Sequence, residues 1–177
     1  MAKVFKALST VTVGAGGATT ITFSSISANY TDLKLIISGR SDVAAVSRSQ
    51  IYLQFNTDTG SNYFYRRILG YDSSGTLSDS FTGTPSAAAF IAIPAAAATA
   101  STFGSIEIYI PNYLSSNQKS YSVDIASENN STTASLLGLS APLWSNTDAI
   151  NQIIITTSSG NLVQYSTATL YGISKGS

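Results

Sequence analysis

Apolar and polar residues alternate with a period of two along much of this chain. Successive side chains of a β-strand point to opposite faces of a sheet, so such alternation predicts half-buried antiparallel strands. Four segments show the pattern most clearly, with predicted core positions at Leu33, Leu35 and Ile37; at Ile51, Leu53 and Phe55; at Ile106, Ile108 and Ile110; and at Tyr121, Val123 and Ile125.

Clusters of Gly, Ser, Asn and Asp separate these segments and mark turns. Two clusters share a Ser-Ser-Gly-x-Leu sequence, in which Gly75 and Gly160 are predicted to supply the left-handed residue of a hairpin. Together the patterns predict about ten strands from the candidate segments 4–13, 19–24, 32–40, 49–56, 62–71, 87–93, 103–111, 119–127, 133–140, 150–157 and 166–173.

The spacing of these strands predicts an all-β fold, a two-sheet antiparallel sandwich of jelly-roll type. Pro94, Pro111 and Pro142 fall at predicted strand ends, where a missing N–H does least harm. With 177 residues the chain is expected to form a single domain, 1–177. Residues 1–18 are a candidate N-terminal strand or arm that contacts a partner.

Composition narrows the range of functions. Charged residues make up only 10% of the chain, well below the usual quarter, and Ser and Thr take their place. Nine basic residues balance nine acidic ones, so the chain lacks the basic surplus that neutralises phosphates, and no nucleic-acid partner is expected. Zero net charge on so few charges indicates that much of the surface contacts protein rather than water.

The chain has no Cys and no His. Disulfides, ordinary zinc, iron or copper sites and a Ser-His or Cys-His nucleophile are thereby excluded, and we predict no catalytic residue, no metal and no cofactor. The N-terminus lacks the apolar core of a signal peptide. The longest apolar stretch, 87–100, is too short to cross a bilayer, so no membrane partner is expected.

Carboxylates offer the remaining enzymatic chemistry. Glu107 and Glu128 are predicted to face outward on neighbouring strands, with Asp124 on the same face, and carboxylates roughly 5–10 Å apart can hydrolyse a glycosidic bond. Solvated surface acids explain them better, because no aromatic cluster marks a sugar cleft. Turn chemistry likewise explains the oxygen-rich loops 56–62 and 72–79 better than calcium binding does. The chain is therefore not predicted to be an enzyme.

All four arginines fall between positions 40 and 67, around a Tyr-rich segment. Tyr and Arg are enriched at interface hot spots, although an ordinary sheet face with arginine stems lying along it explains the pattern equally well. The interface candidates from this region are Arg40, Arg48, Tyr63, Tyr65, Arg66 and Arg67.

Two segments, 21–41 and 150–177, together resemble small jelly-roll structural proteins of tailed bacteriophages. In that group the sequence F-x-S-I-x-x-x-Y-x-D-L leads into a long strand ending near an Arg, and a Gly-turned hairpin closes the domain on L-Y-G-I. The matching positions here are Phe23, Ser25, Ile26, Tyr30, Asp32, Leu33 and Arg40, and then Leu170, Tyr171, Gly172 and Ile173.

The resemblance implies a virion protein without catalytic residues: a capsid decoration (cement) protein, or the head of a tail fibre or spike that recognises host surface glycan. Both kinds usually work as homotrimers. A cement protein would bind the major capsid protein on the outer surface of the capsid, after synthesis in the host cytoplasm. The terminal strand would pair back near the first strands, with Leu170 and Tyr171 on opposite faces, one toward the core and one toward a partner. Tyr171 is thus a further interface candidate.

The start of the chain bears on the choice between cement protein and fibre. A candidate strand begins by about Val4, and the chain has no heptad pattern, which favours a free-standing cement protein over a fibre with a coiled coil. A decoration protein needs a rigid fold and many polar contacts rather than chemistry, and a Ser- and Thr-rich surface fits that task. The expected function is capsid stabilisation, and a receptor-binding head is the alternative.

Overall fold

The structure is a computed structural model that describes residues 4–71, 75–81, 87–129 and 135–174. Within these ranges the chain forms thirteen β-strands and no α-helix, and so no helix that could cross a membrane. The strands are β1 (Val4–Thr12), β2 (Thr20–Phe23), β3 (Asp32–Gly39), β4 (Arg48–Phe55), β5 (Tyr63–Tyr71), β6 (Thr76–Phe81), β7 (Ala88–Pro94), β8 (Gly104–Ile110), β9 (Lys119–Ser120), β10 (Ser122–Ser127), β11 (Leu136–Trp144), β12 (Ile153–Thr157) and β13 (Thr167–Ser174).

These strands form two antiparallel sheets that pack face to face as a sandwich. The larger sheet has the order β1-β13-β3-β8-β10-β11-β5-β6, with the short β9 pairing β11, and the smaller sheet has the order β2-β12-β4-β7. Each sheet has one apolar face, and packing the two faces together removes both from water. The predicted all-β, two-sheet antiparallel sandwich is confirmed.

The core lies between the sheets and has an aromatic centre. All twelve core positions predicted from alternation are at most 3% exposed. The ring of Phe55 packs against those of Tyr63, Tyr121 and Trp144, with centroid distances of 6.3, 5.4 and 5.3 Å. These contacts join β4 of the smaller sheet to β5 and β11 of the larger one.

Pro94 ends β7 and Pro111 directly follows β8, as predicted, but Pro142 lies inside β11. The carbonyl of Pro142 accepts a hydrogen bond of 3.1 Å from the backbone N–H of Tyr121, the residue that separates β9 from β10. In a strand, the N–H and C=O of one residue point to the same side. The side of Pro142 that lacks an N–H therefore faces the break between β9 and β10. Pro142 is tolerated there, so β11 continues past the predicted end at residue 140.

The last strand, β13, pairs with β1 on one side and β3 on the other, which confirms that the chain returns to its first strands. Gly75 and Gly160 both have positive φ, 109° and 66°. Gly75 precedes β6, which pairs with β5 as a hairpin. The predicted hairpin at Gly160 is wrong, because its turn leads from β12 in the smaller sheet to β13 in the larger sheet.

Candidate interface surface

Three large apolar side chains lie together on the outer face of the larger sheet, the face turned away from the smaller sheet. Ile68, Leu137 and Leu139 are 56%, 66% and 58% exposed. Leu139 of β11 pairs in register with Ile68 of β5, and Leu137 lies two residues along β11 on the same face. We call these three residues the apolar row. Single exposed apolar residues are common, but adjacent ones mark contact surfaces.

The apolar row results from an inverted pattern in β11. Gly138 and Ser140 point inward, whereas the leucines on either side of Gly138 point outward. A Cβ at position 138 would come within 2.5 Å of Leu69 Cδ2, so the space beneath β11 is already filled. The outward leucines therefore add nothing to the core of a single chain. The outward orientation of Leu137 and Leu139 was not predicted from the sequence, although leucines two positions apart, with Gly138 between them and Ser140 after them, were the available signal.

Opposite charges flank the apolar row. Arg66 is exposed and lies two residues before Ile68 on the same face of β5. On the other side of β11, Asp124 of β10 pairs in register with Leu139. Among the described residues, neither the guanidinium of Arg66 nor the carboxylate of Asp124 has a hydrogen-bond or ion-pair partner. A groove of about 630 Å³ runs between them across the outer face, lined with the hydroxyls of Ser78, Ser80 and Ser122 as well.

The predicted arginine candidates outside β5 make contacts within their own chain. Arg40 donates hydrogen bonds of 2.8, 3.1 and 3.1 Å to the carbonyls of Thr99, Thr102 and Ala98, and so holds the loop after β7. Burial lowers the pKa of the Arg40 guanidinium. Arg48 Nη1 lies 3.4 Å from the carbonyl oxygen of Ser135.

Strand alternation divides the predicted cluster on β5 between the two faces of the sheet. Tyr63 is fully buried, its hydroxyl accepts a 2.9 Å hydrogen bond from the backbone N–H of Phe55, and burial raises its pKa. Tyr65 and Arg67 lie on the same face as Tyr63, with the Arg67 guanidinium 5.0 Å from the centroid of the Tyr65 ring. Of the four β5 candidates, only Arg66 belongs to the outer face.

Tyr171 lies on the outer face as well, but at the far end of the larger sheet. Its ring stacks on Phe5 of β1, with a centroid distance of 4.7 Å and an interplanar angle of 14°. Leu170 is 2% exposed, so the expected opposite orientation of these neighbours is confirmed. Strands β3, β8 and β10 separate Tyr171 from the apolar row.

The two glutamates of the carboxylate hypothesis are not brought together by the strand register. Glu107 pairs in register with Asp124 and forms an ion pair of 2.5 Å with Lys34. Glu128 lies four residues beyond Asp124, which corresponds to about 13 Å of extended chain. Its carboxylate accepts hydrogen bonds from the backbone N–H of Asn129 and the hydroxyl of Ser135.

In the loop 56–62, the carboxylate of Asp58 accepts hydrogen bonds that stabilise the turn. Burial of Asp58 alone would raise its pKa, but hydrogen bonds from its donors outweigh that effect and hold the pKa below its ordinary value. Loop 72–79 lies partly outside the described residues. Among the described residues, no three acidic side chains converge on a point that could hold a metal ion. The donors to Asp58, at 2.8 to 3.3 Å, are the backbone N–H of Gly60 and the side chains of Asn62, Trp144 and Asn146.

Comparisons with known proteins add little to this geometry. No protein-family model matches the chain, and no curated protein matches it. Among solved structures, the alignment with a chain from "Structure of infectious bursal disease virus Gx strain" covers 98% of this chain and 41% of that chain, with 14% identity and a TM-score of 0.12. This chain thus spans less than half of that chain, and the TM-score is too low to support any argument about fold or function.

Proposed function

We propose that this protein is a structural component of a bacteriophage virion, a cement protein that binds the outer capsid as a homotrimer and stabilises the head. One observation carries the proposal, the order of eight strands in the sandwich. The order β1-β13-β3-β8 faces β2-β12-β4-β7. This order of strands in two facing sheets supports an arrangement of jelly-roll type, which viral capsid proteins use.

The strands outside this set of eight support a role in protein contact. Strands β10, β11, β5 and β6 extend the larger sheet beyond β8. The inner side of this extension packs against β7, whereas its outer side carries the apolar row. A large exposed apolar group on an added sheet extension fits a protein that is covered by other protein in an assembly.

The segments that resemble phage structural proteins give further support, because they adjoin each other in space. Segment 21–41 contains β3, and segment 150–177 contains β13, its neighbour in the larger sheet. The matched residues Tyr30 and Gly172 are in direct contact, since a Cβ at position 172 would overlap the Tyr30 ring. The resemblance therefore falls on one packed unit rather than on two unrelated pieces.

The groove on the outer face favours one alternative, a receptor-binding head that recognises a host glycan. Charged residues, serines and apolar residues line the groove, a combination that can hydrogen-bond and cover a sugar ring, and jelly rolls also occur in lectins. A glycan-array signal together with labelling confined to the tail favours this alternative.

Particle stability tests the cement function. Phage particles assembled without this chain should lose their DNA at lower temperature and at low salt, and adding the purified protein back should restore their resistance. Particles that withstand heat and low salt equally well with and without the chain would exclude the stabilising role.

A further inference from the structure

We infer that the apolar row and its flanking charges form the contact between copies of this chain in the trimer, with Arg66 of one copy against Asp124 of the next. The inference rests on the proposed function for the number of copies. The surface itself follows from the exposure, register and charge of the residues on the outer face.

The apolar row is positioned to be covered by another protein. Its three side chains are more than half exposed, and the core beneath them is filled by Leu69 and Ile125, whose atoms would contact a Cβ at position 138. Within an isolated chain, Leu139 makes a cross-strand contact with Ile68 on the sheet surface, but neither Leu137 nor Leu139 reaches the core. A partner that packs on the outer face removes this surface from water.

The charges indicate that the partner is a second copy. Arg66 lies on β5 and Asp124 on β10, on opposite sides of β11 and about 10 Å apart across the sheet. One surface thus carries a cation on one side and an anion on the other, both without a partner among the described residues. Another copy supplies the missing charge at each side, and a chain of zero net charge has no long-range repulsion to prevent the contact.

A closed ring of three copies satisfies every such surface. Each copy directs its outer face at a threefold axis that passes near Leu139, so the leucines of three copies meet at the axis. The β5 side of one copy then faces the β10 side of the next, and the Arg66–Asp124 contact repeats around the ring. Head-to-tail contacts of this kind close when the rotation between copies completes a circle.

Light scattering after size-exclusion chromatography tests the inference on the purified full chain, without any capsid. We expect the mass of three copies for the wild type and of one copy for the double variant Leu137→Ser, Leu139→Ser. Leu114→Ser, which changes an exposed leucine between β8 and β9, is the control and should keep the mass of three copies. Far-ultraviolet circular dichroism verifies that each variant is folded.

Charge exchange gives a second test that leaves the apolar row intact. Arg66→Asp and Asp124→Arg should each weaken trimer formation at low salt by tenfold or more, whereas the chain carrying both changes should regain it. A wild-type mass of one or two copies, a trimer that survives both leucine changes, or a failure of the exchanged pair to recover would overturn the inference.

These results separate the inference from the proposed function. A trimer that dissociates as expected but adds no stability to particles contradicts the cement function and leaves the contact standing. Stabilised particles decorated by a chain whose leucine variants stay trimeric contradict the contact alone.

Discussion

The ring of Tyr30 lies over Gly172 so closely that a Cβ at position 172 would overlap it. The backbone N–H and the hydroxyl of Thr31 both donate to the carbonyl of Ile173, at 2.9 and 2.8 Å. Asp32 pairs in register with Ile173 at the start of β3. The turn before β3 is thereby fixed to β13, a strand that also pairs with β1 on one side and β3 on the other.

The contact at Gly172 predicts a loss of stability from a single methyl group. Gly172→Ala should lower the free energy of unfolding by about 1–3 kcal/mol, because the methyl must displace the Tyr30 ring from a packed site. Gly14→Ala is the control, since nothing lies within 4 Å of a Cβ there. Urea unfolding followed by circular dichroism compares the two variants, and equal stabilities would show that the Tyr30 contact is not tight.

The Asp58 carboxylate predicts a specific loss of stability in acid. Its pKa is lower in the folded state than in the unfolded state, where it lies near 3.9, so its contribution is present above that pH and is lost as pH falls through the folded value. Asp58→Asn should lower the free energy of unfolding by about 1–3 kcal/mol at neutral pH and make its fall in acid shallower. Parallel pH profiles for the variant and the wild type would refute this role.

The burial of Lys119 predicts a larger loss of stability on substitution than an exposed lysine would give. It is 2% exposed, donates hydrogen bonds to the carbonyls of Ser115 and Asp148, and lies 5.4 Å from the centroid of a Trp144 ring. Lys119→Ala should lower the free energy of unfolding by about 2–5 kcal/mol, because it leaves a cavity and two carbonyls without their donor.

The matched control for Lys119 is Lys6→Ala on the exposed face of β1, for which we expect a change within about 0.5 kcal/mol. Fluorescence of Trp144, the single tryptophan of the chain, follows unfolding directly beside the altered site. Similar losses for the two variants would mean that Lys119 does not stabilise the core.

Arg40 was an interface candidate, and its contacts predict a role within the chain. Arg40→Ala removes the hydrogen bonds that hold the loop at Ala98 to Thr102. We expect a lower Tm and faster proteolysis in that loop, with an unchanged oligomeric mass. Loss of trimer mass without loss of Tm would instead place Arg40 at a contact between copies.

Much of the fold follows from strand alternation, because burial on one face requires a period of two. It identified the core positions of β3, β4, β8 and β10, but it could not identify β6. The sequence of β6, TLSDSF, has too few apolar residues to stand out, and the strand is held by its hairpin with β5. The prediction of a hairpin at Gly160 was wrong for another reason. A glycine turn does not reveal whether the next strand joins the same sheet as the strand before it.

The candidate surface could be predicted only in part. Arg66 was identified as a candidate by its residue type. Leu137 and Leu139 were assigned to a predicted strand, but the face of the sheet that they occupy was not predicted. Alternation places Leu137 and Leu139 on one face and Leu136 on the other, but it does not say which face is inward, and the close approach of Leu69 to Gly138 comes from another part of the chain. Tyr63 and Arg40 are of residue types enriched at interface hot spots, but Tyr63 packs in the core and Arg40 holds a loop. Residue type alone does not specify a side chain's surroundings.

Cryo-electron microscopy of intact particles that carry this protein would locate its copies on the virion. We predict density for three copies at symmetry-related positions on the outer capsid surface, with Leu139 of each copy turned toward the local threefold axis. Density for this protein only on the tail would contradict that prediction.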